Sequence, residues 1–454
     1  MTDVDSDPDP SADVDAGSGA DPDFDVVVVG AGRAGTAAAY RLAEEGFDVA
    51  LLERAKQPGM KNVTGGVLYG SVLADLVPEF PAEAPLERHV VEHRIKLLHG
   101  DAEVTVGYRD LELREEPNYT LMLGKFDRWF VERAEERGAL FLPETTVKDV
   151  TQGAGHAVVH TDRENGDLTC RAVVGADGVN TTVGRATGIQ RTMRNEDMAL
   201  SVKKVVKLGR EGINERFNLD SDEGAAYIYT GYPEGAPTIG YFIYTFDEYI
   251  SVGAVGGLET LRWLGDQGYG GTGTPLYGLL EEFMTLDTVR PYVQGDLVEE
   301  YQGILVPEHS YDTLPDRHDR RVALVGDAAG LVLNKGYTFR GLDYGITSGV
   351  EAAEAAVACR ADGDWDAFGE RYDRNLRDSY VLQDMKRHRH LPKFLENERM
   401  YGVYPGIAAE TLRGMYSSST DAELTWRRAF GAFRRSDAGV LDLLRDGYRA
   451  MRSL

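Results

Sequence analysis

The chain has 454 residues, 42% of them hydrophobic, which suffices for two or three packed units. Its 75 acidic residues against 49 basic ones give a formal charge of −26, spread along the whole length, and this argues against nucleic-acid binding. With arginine far outnumbering lysine, the balance suggests a halophilic surface, working in concentrated salt that screens self-repulsion; the rival reading is an acidic patch for a basic partner.

The two cysteines, Cys170 and Cys359, form no C-x-x-C pair, so this chain alone builds no zinc ribbon or iron–sulfur cluster. They read as small core residues of a reducing, cytoplasmic compartment. The histidines form no ligand cluster, and a metal site is not expected. No run of about eighteen apolar residues occurs, so no segment is expected to span a bilayer.

In chain order, residues 1–22 are rich in Asp, Ser, Gly and Pro with little to bury, and are expected to be a disordered acidic tail rather than a signal peptide. Residues 24–54 then read as strand, glycine turn, helix, strand and acid. The β-branched run at 25–29 suits a buried parallel strand. Gly30, Gly32 and Gly35 follow at G-x-G-x-x-G spacing: a tight turn, an approach for a pyrophosphate, and close packing of helix on strand. The helix from about Arg33, with Ala34 in its first turn, aims free N–H groups at that phosphate. Glu53, followed by Arg54, ends the next strand, where a carboxylate accepts from the hydroxyls of an adenosine ribose.

A glycine-bearing loop is expected over 57–70 and a strand over 104–108. The stretch 125–137 reads as a helix with Phe126, Trp129, Phe130 and Ala134 on one face. Leu140, Leu142, Val147 and Val150 suggest strand returning to the first sheet, and 170–174 is another strand ending at Gly175-Ala176-Asp177-Gly178. Four aromatic, β-rich stretches between 202 and 255 predict an antiparallel sheet. Residues 258–292 read as helical, 321–325 as strand before Gly326-Asp327, 342–359 as helix, and 365–454 as mostly helical.

Glycine-rich turns after three strands in this order, two of them carrying an Asp, point to a flavin. Asp177 and Asp327 can accept from ribityl hydroxyls. The helix starting near Gly341 can stabilise negative charge on the reduced pyrimidine edge. No acid–base dyad or nucleophile stands out, so the flavin is expected to carry the chemistry. Asn62, Thr64 and Arg340 are candidates for polar contacts to its ring, or else solvated loop residues. Tyr227, Tyr229, Tyr241, Tyr244 and Phe246 line a quinone channel or form the packed face of a sheet.

This order resembles the large FAD-binding superfamily that includes glutathione reductase-like enzymes, aromatic hydroxylases and geranylgeranyl reductases. The implied fold is α/β, a Rossmann-like FAD-binding domain with an inserted antiparallel β-sheet substrate domain and a helical C-terminal region. Boundaries are expected at 23–85, 125–190 and 318–375 for the FAD-binding part, 86–124 and 191–317 for the substrate or quinone part, and 376–454 for the helical region. No second G-x-G-x-x-G unit follows, which argues against a separate nicotinamide domain.

More narrowly, Lys61-Asn62-Val63-Thr64-Gly65-Gly66, Leu68-Tyr69-Gly70, Gly326-Asp327-Ala328-Ala329-Gly330, the stretch from Gly336 through Arg340 to Asp343, and Phe394-Leu395-Glu396-Asn397 resemble FixC, a flavoprotein similar to electron-transfer flavoprotein:quinone oxidoreductase. The resemblance implies FAD contacts at Gly65, Gly66, Val147 and Gly336 besides those above. It also implies electrons taken from electron-transfer flavoprotein subunits and passed to quinone or to a separate ferredoxin-like, FixX-type subunit, which the two cysteines here would require. Peripheral contact with the cytoplasmic membrane face is expected through 258–283. Where the family implies an Arg before the 125–137 helix, this chain has Leu123-Gly124, with Lys125 and Arg128 as candidate substitutes. The geranylgeranyl reductases, which saturate isoprenoid double bonds, are the alternative. Their tyrosine–x–tryptophan–x–phenylalanine–proline–lysine signature is replaced here by Tyr241-Phe242-Ile243-Tyr244-Thr245-Phe246-Asp247, without the Trp or the Pro-Lys.

Overall fold

A computed structural model describes residues 21–60, 65–190, 193–236, 238–269, 275–417, 431, 433–434 and 439–453. The expected acidic tail lies outside them but for its last two residues. The chain starts with β1 (Phe24–Val29), α1 (Arg33–Glu44) and β2 (Val49–Leu52). It leaves for a second sheet through β3 (Gly66–Tyr69), α2 (Ser71–Leu76), β4 (Leu86–His99), β5 (Ala102–Arg109) and β6 (Asn118–Leu121). It returns through α3 (Leu123–Glu136), β7 (Leu140–Leu142), β8 (Val147–Gln152), β9 (Ala157–Thr161), β10 (Leu168–Gly175) and α4 (Thr182–Ala186).

A second excursion comprises β11 (Met198–Lys207), α5 (Gly209–Phe217), β12 (Glu223–Thr230), β13 (Ile239–Thr245), β14 (Tyr249–Gly257), α6 (Leu258–Asp266), α7 (Pro275–Thr285), α8 (Arg290–Val293) and β15 (Asp296–Pro307). Strands β16 (His318–Asp319) and β17 (Val322–Leu324) rejoin the first sheet, and β18 (Leu333–Asn334) pairs with β19 (Phe339–Arg340). Helices α9 (Leu342–Asp362), α10 (Phe368–Asp378), α11 (Tyr380–Arg387), α12 (Leu391–Leu395), α13 (Val403–Tyr416) and α14 (Val440–Ser453) follow.

The first sheet runs β16-β17-β10-β1-β2-β7, with β9 on β10 and β8 on β9. Its centre is parallel: Val28 is in register with both Leu51 and Val174. Such strands are covered on both faces, which suits the fully buried Val26, Val27 and Val28. Helix α3 buries its Phe126, Trp129, Phe130 and Ala134 stripe in the same core. Helices α1 and α9 touch so closely that a Cβ on Gly349 would collide with the Ala34 carbonyl.

The second sheet runs β15-β11-β14-β13-β12-β4-β6-β3, with β5 on β4. The antiparallel expectation needs correcting at one ladder, because β12 and β4 are parallel. They come from different excursions, and the long connection through the first sheet permits that orientation. The expected loop over 57–70 also contains strand β3. One face of this sheet packs on α5 to α8 around Tyr227, Tyr229, Tyr241 and Phe283; the other carries Phe242, Tyr244 and Phe246.

Candidate functional site

The C-terminal ends of β1, β2, β10 and β17 open onto a cleft of about 790 Å³ whose far wall is β11, β13 and β15. Clefts at this edge of an open parallel sheet are where such folds bind ligands, and the volume suits a cofactor largely enclosed by protein.

The first wall is the glycine turn. Gly30 has φ +106°, and a Cβ there would strike the Ala176 carbonyl, so glycine is required. A Cβ on Gly32 would meet nothing within 4 Å, because the position faces the cleft. Gly35 lies behind the turn, where a Cβ would collide with the Gly30 carbonyl, so it packs helix on strand rather than lining the cleft. Arg33, Ala34 and Arg54 line it. Glu53 is held by two backbone donors, Ala31 N to Oε2 at 3.2 Å and Ala55 N to Oε1 at 2.8 Å. A carboxylate so anchored keeps acceptor capacity toward the cleft.

The second wall is acidic. Asp177 Oδ2 accepts from Thr182 N and Val183 N at 2.6 and 3.0 Å, so one oxygen caps α4. Its Oδ1 is buried with no hydrogen-bond partner, a condition that costs free energy until a donor arrives. Burial raises the Asp177 carboxyl above its ordinary value, and does the same for Asp327, where Arg33 opposes it. Gly326 (φ +59°), Gly341, Leu342 and Gly345 bring the N-terminus of α9 to the same cleft.

The third wall, Tyr244 apart, escaped sequence reasoning. Ser201 and Lys203 of β11, Phe242 and Tyr244 of β13, and residues 302–306 of β15 face the cleft. Lys203 Nζ donates to the Gly65 carbonyl at 3.2 Å and lies 5.6 Å from the Phe242 ring centre. Burial, with Arg33 nearby, lowers its ammonium to about 8. The usable signal was period two: Ser201 and Lys203 share one face of a strand otherwise rich in valine.

Of the remaining expected contacts, Gly65 and Gly66 line the cleft, and Asn62 and Thr64 lie outside the described residues. Val147, Gly336 and Arg340 do not line it. Val147 is buried in the core of the first sheet, Gly336 faces Leu395, and Arg340 pairs with Asp343 while stacking over Tyr69 at 4.4 Å. Neither candidate substitute arginine or lysine reaches the cleft: Lys125 pairs with Glu87 at 3.1 Å and Arg128 donates to the Gly124 carbonyl. The cation beside that helix is Arg33, held by Asp127 at 2.9 Å. The pleat divides the aromatic set: Tyr244 faces the cleft, whereas Tyr227, Tyr229 and Tyr241 face the helices, with Tyr241 stacked on Phe283 at 4.2 Å.

Open space at Gly32, an anchored acid at Glu53 and the orphaned Asp177 oxygen suit, in order, a pyrophosphate, a ribose and a hydroxylated chain. That combination fits FAD. Residues 23–210 match the family model described as FAD binding domain. The chain is an FAD-dependent oxidoreductase.

It is 34% identical over 432 residues, 94% of this chain and 97% of the relative, to a protein of Escherichia coli named as a probable electron transfer flavoprotein-quinone oxidoreductase. It is 37% identical over 392 residues, 85% of this chain and 88% of the relative, to the protein FixC of Bradyrhizobium diazoefficiens. The chain belongs to this family, the FixC-type flavoproteins. A geranylgeranyl bacteriochlorophyll reductase-like protein of Thermoplasma acidophilum shares the fold, with TM-score 0.70 at 18% identity over 93% of this chain and 98% of that one.

Proposed function

We propose that the chain accepts electrons from an electron-transfer flavoprotein and passes them to a quinone, to a separate ferredoxin-like subunit, or to both. The observation that carries this reading is a cleft built for FAD whose open wall, from the second sheet, is mostly apolar and aromatic: Phe242, Tyr244, Val255 and residues 304–306. Such a wall suits a flat, lipophilic acceptor. Two buried cysteines leave iron–sulfur chemistry to another polypeptide.

FAD, when bound, supplies the two-electron and one-electron redox chemistry. The chain's own part is to bind and orient. Gly32 and the α1 N-terminus take the pyrophosphate, Glu53 the ribose, and Asp177 and Asp327 the ribityl chain. The α9 N-terminus and Lys203 set a positive potential in the cleft, which favours added negative charge. The domain boundaries proposed above group these residues in the FAD-binding part, except Lys203, which comes from the quinone part.

No described helix is long and apolar enough to cross a membrane. The apolar faces of α6 and α7 cover the second sheet through Leu261, Leu264, Leu276 and Leu279. Peripheral contact is therefore proposed through the exposed Trp263, Tyr269 and Tyr277 rather than through those faces. The alternative, isoprenoid saturation, loses ground because Tyr241 is turned away from the cleft.

The test is anaerobic. Purified holoprotein, reduced electron-transfer flavoprotein and a water-soluble quinone are mixed, and quinol is measured. Quinol formation dependent on all three supports the reading. Saturation of a geranylgeranyl lipid without quinol formation, followed by mass spectrometry, would replace it with the alternative.

A further inference from the structure

Beside the cleft lies a second cavity of about 200 Å³, between the second sheet and α12. Val332 stands in the walls of both. Glu308 lies two residues beyond the β15 stretch that lines the cleft, and faces this second cavity. Its Oε1 accepts from Asn334 Nδ2 at 3.3 Å, and burial, reinforced by Glu396, holds its carboxyl above the usual range.

His309, only 4% exposed, lines the same cavity. Neither ring nitrogen makes a hydrogen bond. Nδ1 lies 3.5 Å from Asp197 Oδ1, and the Thr313 backbone is close by. Burial lowers the imidazole, with Asp197 opposing and Arg194 assisting, which favours its neutral form. A Cβ on Gly330 would come within 2.7 Å of His309 Cδ2, which seats this ring beneath the Gly326–Gly330 turn of the cofactor cleft. Glu196, Glu259 and Glu396 form an exposed acidic rim, and Tyr401 is buried close to Glu308 and Glu396.

A buried imidazole with no well-formed side-chain hydrogen bond, a half-buried carboxyl and an acidic rim lie together one side chain away from the redox cleft. We propose that this cavity is the proton entrance of the enzyme, with Glu308 as the group that hands protons to the cleft. The inference rests on the quinone reading. Converting a quinone to a quinol takes up two electrons and two protons, turning two C=O groups into two O–H groups. Electrons passed between proteins bring no protons, so both must come from solvent. Glu308 breaks its O–H bond to release each proton and is recharged from solvent through the rim acids, twice per quinol.

The experiment uses holoprotein carrying Glu308→Gln, which preserves shape and the Asn334 contact. Reduced electron-transfer flavoprotein is the donor. The acceptor is either a water-soluble quinone or ferricyanide, which takes an electron without a proton. Quinone reduction is expected to fall roughly tenfold or more, with ferricyanide reduction within about twofold of native. The native quinone rate falls as pH rises through the Glu308 titration, and the variant lacks that fall. Asn334→Asp, which places a second carboxyl against Glu308, shifts the native pH midpoint upward. Independently of turnover, native protein shows an infrared band of a protonated carboxyl that persists above the usual carboxylate range, and the Glu308→Gln variant lacks it.

Equal quinone rates in native and variant protein would overturn the proton role alone. So would equal slowing with both acceptors, or an unmoved midpoint in Asn334→Asp. Native protein that reduces ferricyanide but no quinone would overturn the quinone reading, and this inference with it.

Discussion

The Arg33 guanidinium meets the Asp127 carboxylate at 2.9 Å, tying the first residue of α1 to α3 across the wall of the cleft. Asp127 is 1% exposed and Arg33 18%, so the two ends of this pair are unequal. Removing the arginine takes one charged partner from a deeply buried carboxylate. Removing the acid leaves a guanidinium that still reaches solvent. Arg33→Ala is therefore expected to cost about 2–4 kcal/mol, and Asp127→Asn about 1–2 kcal/mol. Urea unfolding of both variants checks the order; a larger loss in Asp127→Asn would contradict it.

The two leading glycines separate folding from cofactor binding. Gly32 is in ordinary extended geometry (φ −80°, ψ 178°) with free space around its Cβ position, whereas Gly30 has φ +106° and the Ala176 carbonyl against it. Gly32→Val should fold with a near-native melting temperature when both are FAD-free, yet purify colourless. Gly30→Ala should lose stability with or without FAD, by about 1–3 kcal/mol. Stoichiometric FAD in Gly32→Val would remove the pyrophosphate from this turn.

Lys203 makes stability depend on pH. Its ammonium is lowered from 10.5 to about 8 by burial and by Arg33. Below pH 8 the folded chain carries the whole cost of a buried charge. As pH rises from about 8 to 10.5, the folded state sheds its proton while the unfolded chain still holds one, so the cost fades. Lys203→Met should stabilise the FAD-free protein at pH 7 by up to about 3 kcal/mol, with a smaller gain at pH 10. A gain that is constant across that range would contradict the assignment.

A net charge of −26 makes the compact chain repel itself. Molar KCl screens that repulsion within a few ångströms. The melting temperature should climb with KCl; a flat or falling curve would refute the screening argument.

The unit β1-α1-β2 was legible because every determinant is local: a valine run, spaced glycines and a terminal acid. Asp177 and Asp327 were legible for the same reason, as acids in glycine turns at strand ends. Strands β4 and β15 were not expected, since charges interrupt both. In β4 those charges are satisfied at long range: Arg88 is buried and donates to Asn214 Oδ1 at 2.8 Å and to the Glu223 and Asp247 carbonyls. Arg340 was expected at the flavin, but an acid three residues on captures it. Lys203 reaches the cleft because β11 sits in the part of the second sheet that faces the first, a long-range placement whose local trace is only the face it shares with Ser201.

The most direct measurement is a crystal structure of the yellow holoprotein. It should show one FAD in the cleft, with its pyrophosphate against Gly32 and the α1 N-terminus, its adenosine ribose on Glu53 and a ribityl hydroxyl donating to Asp177 Oδ1. A flavin bound elsewhere, or a cleft closed by side chains at Gly32, would contradict the account.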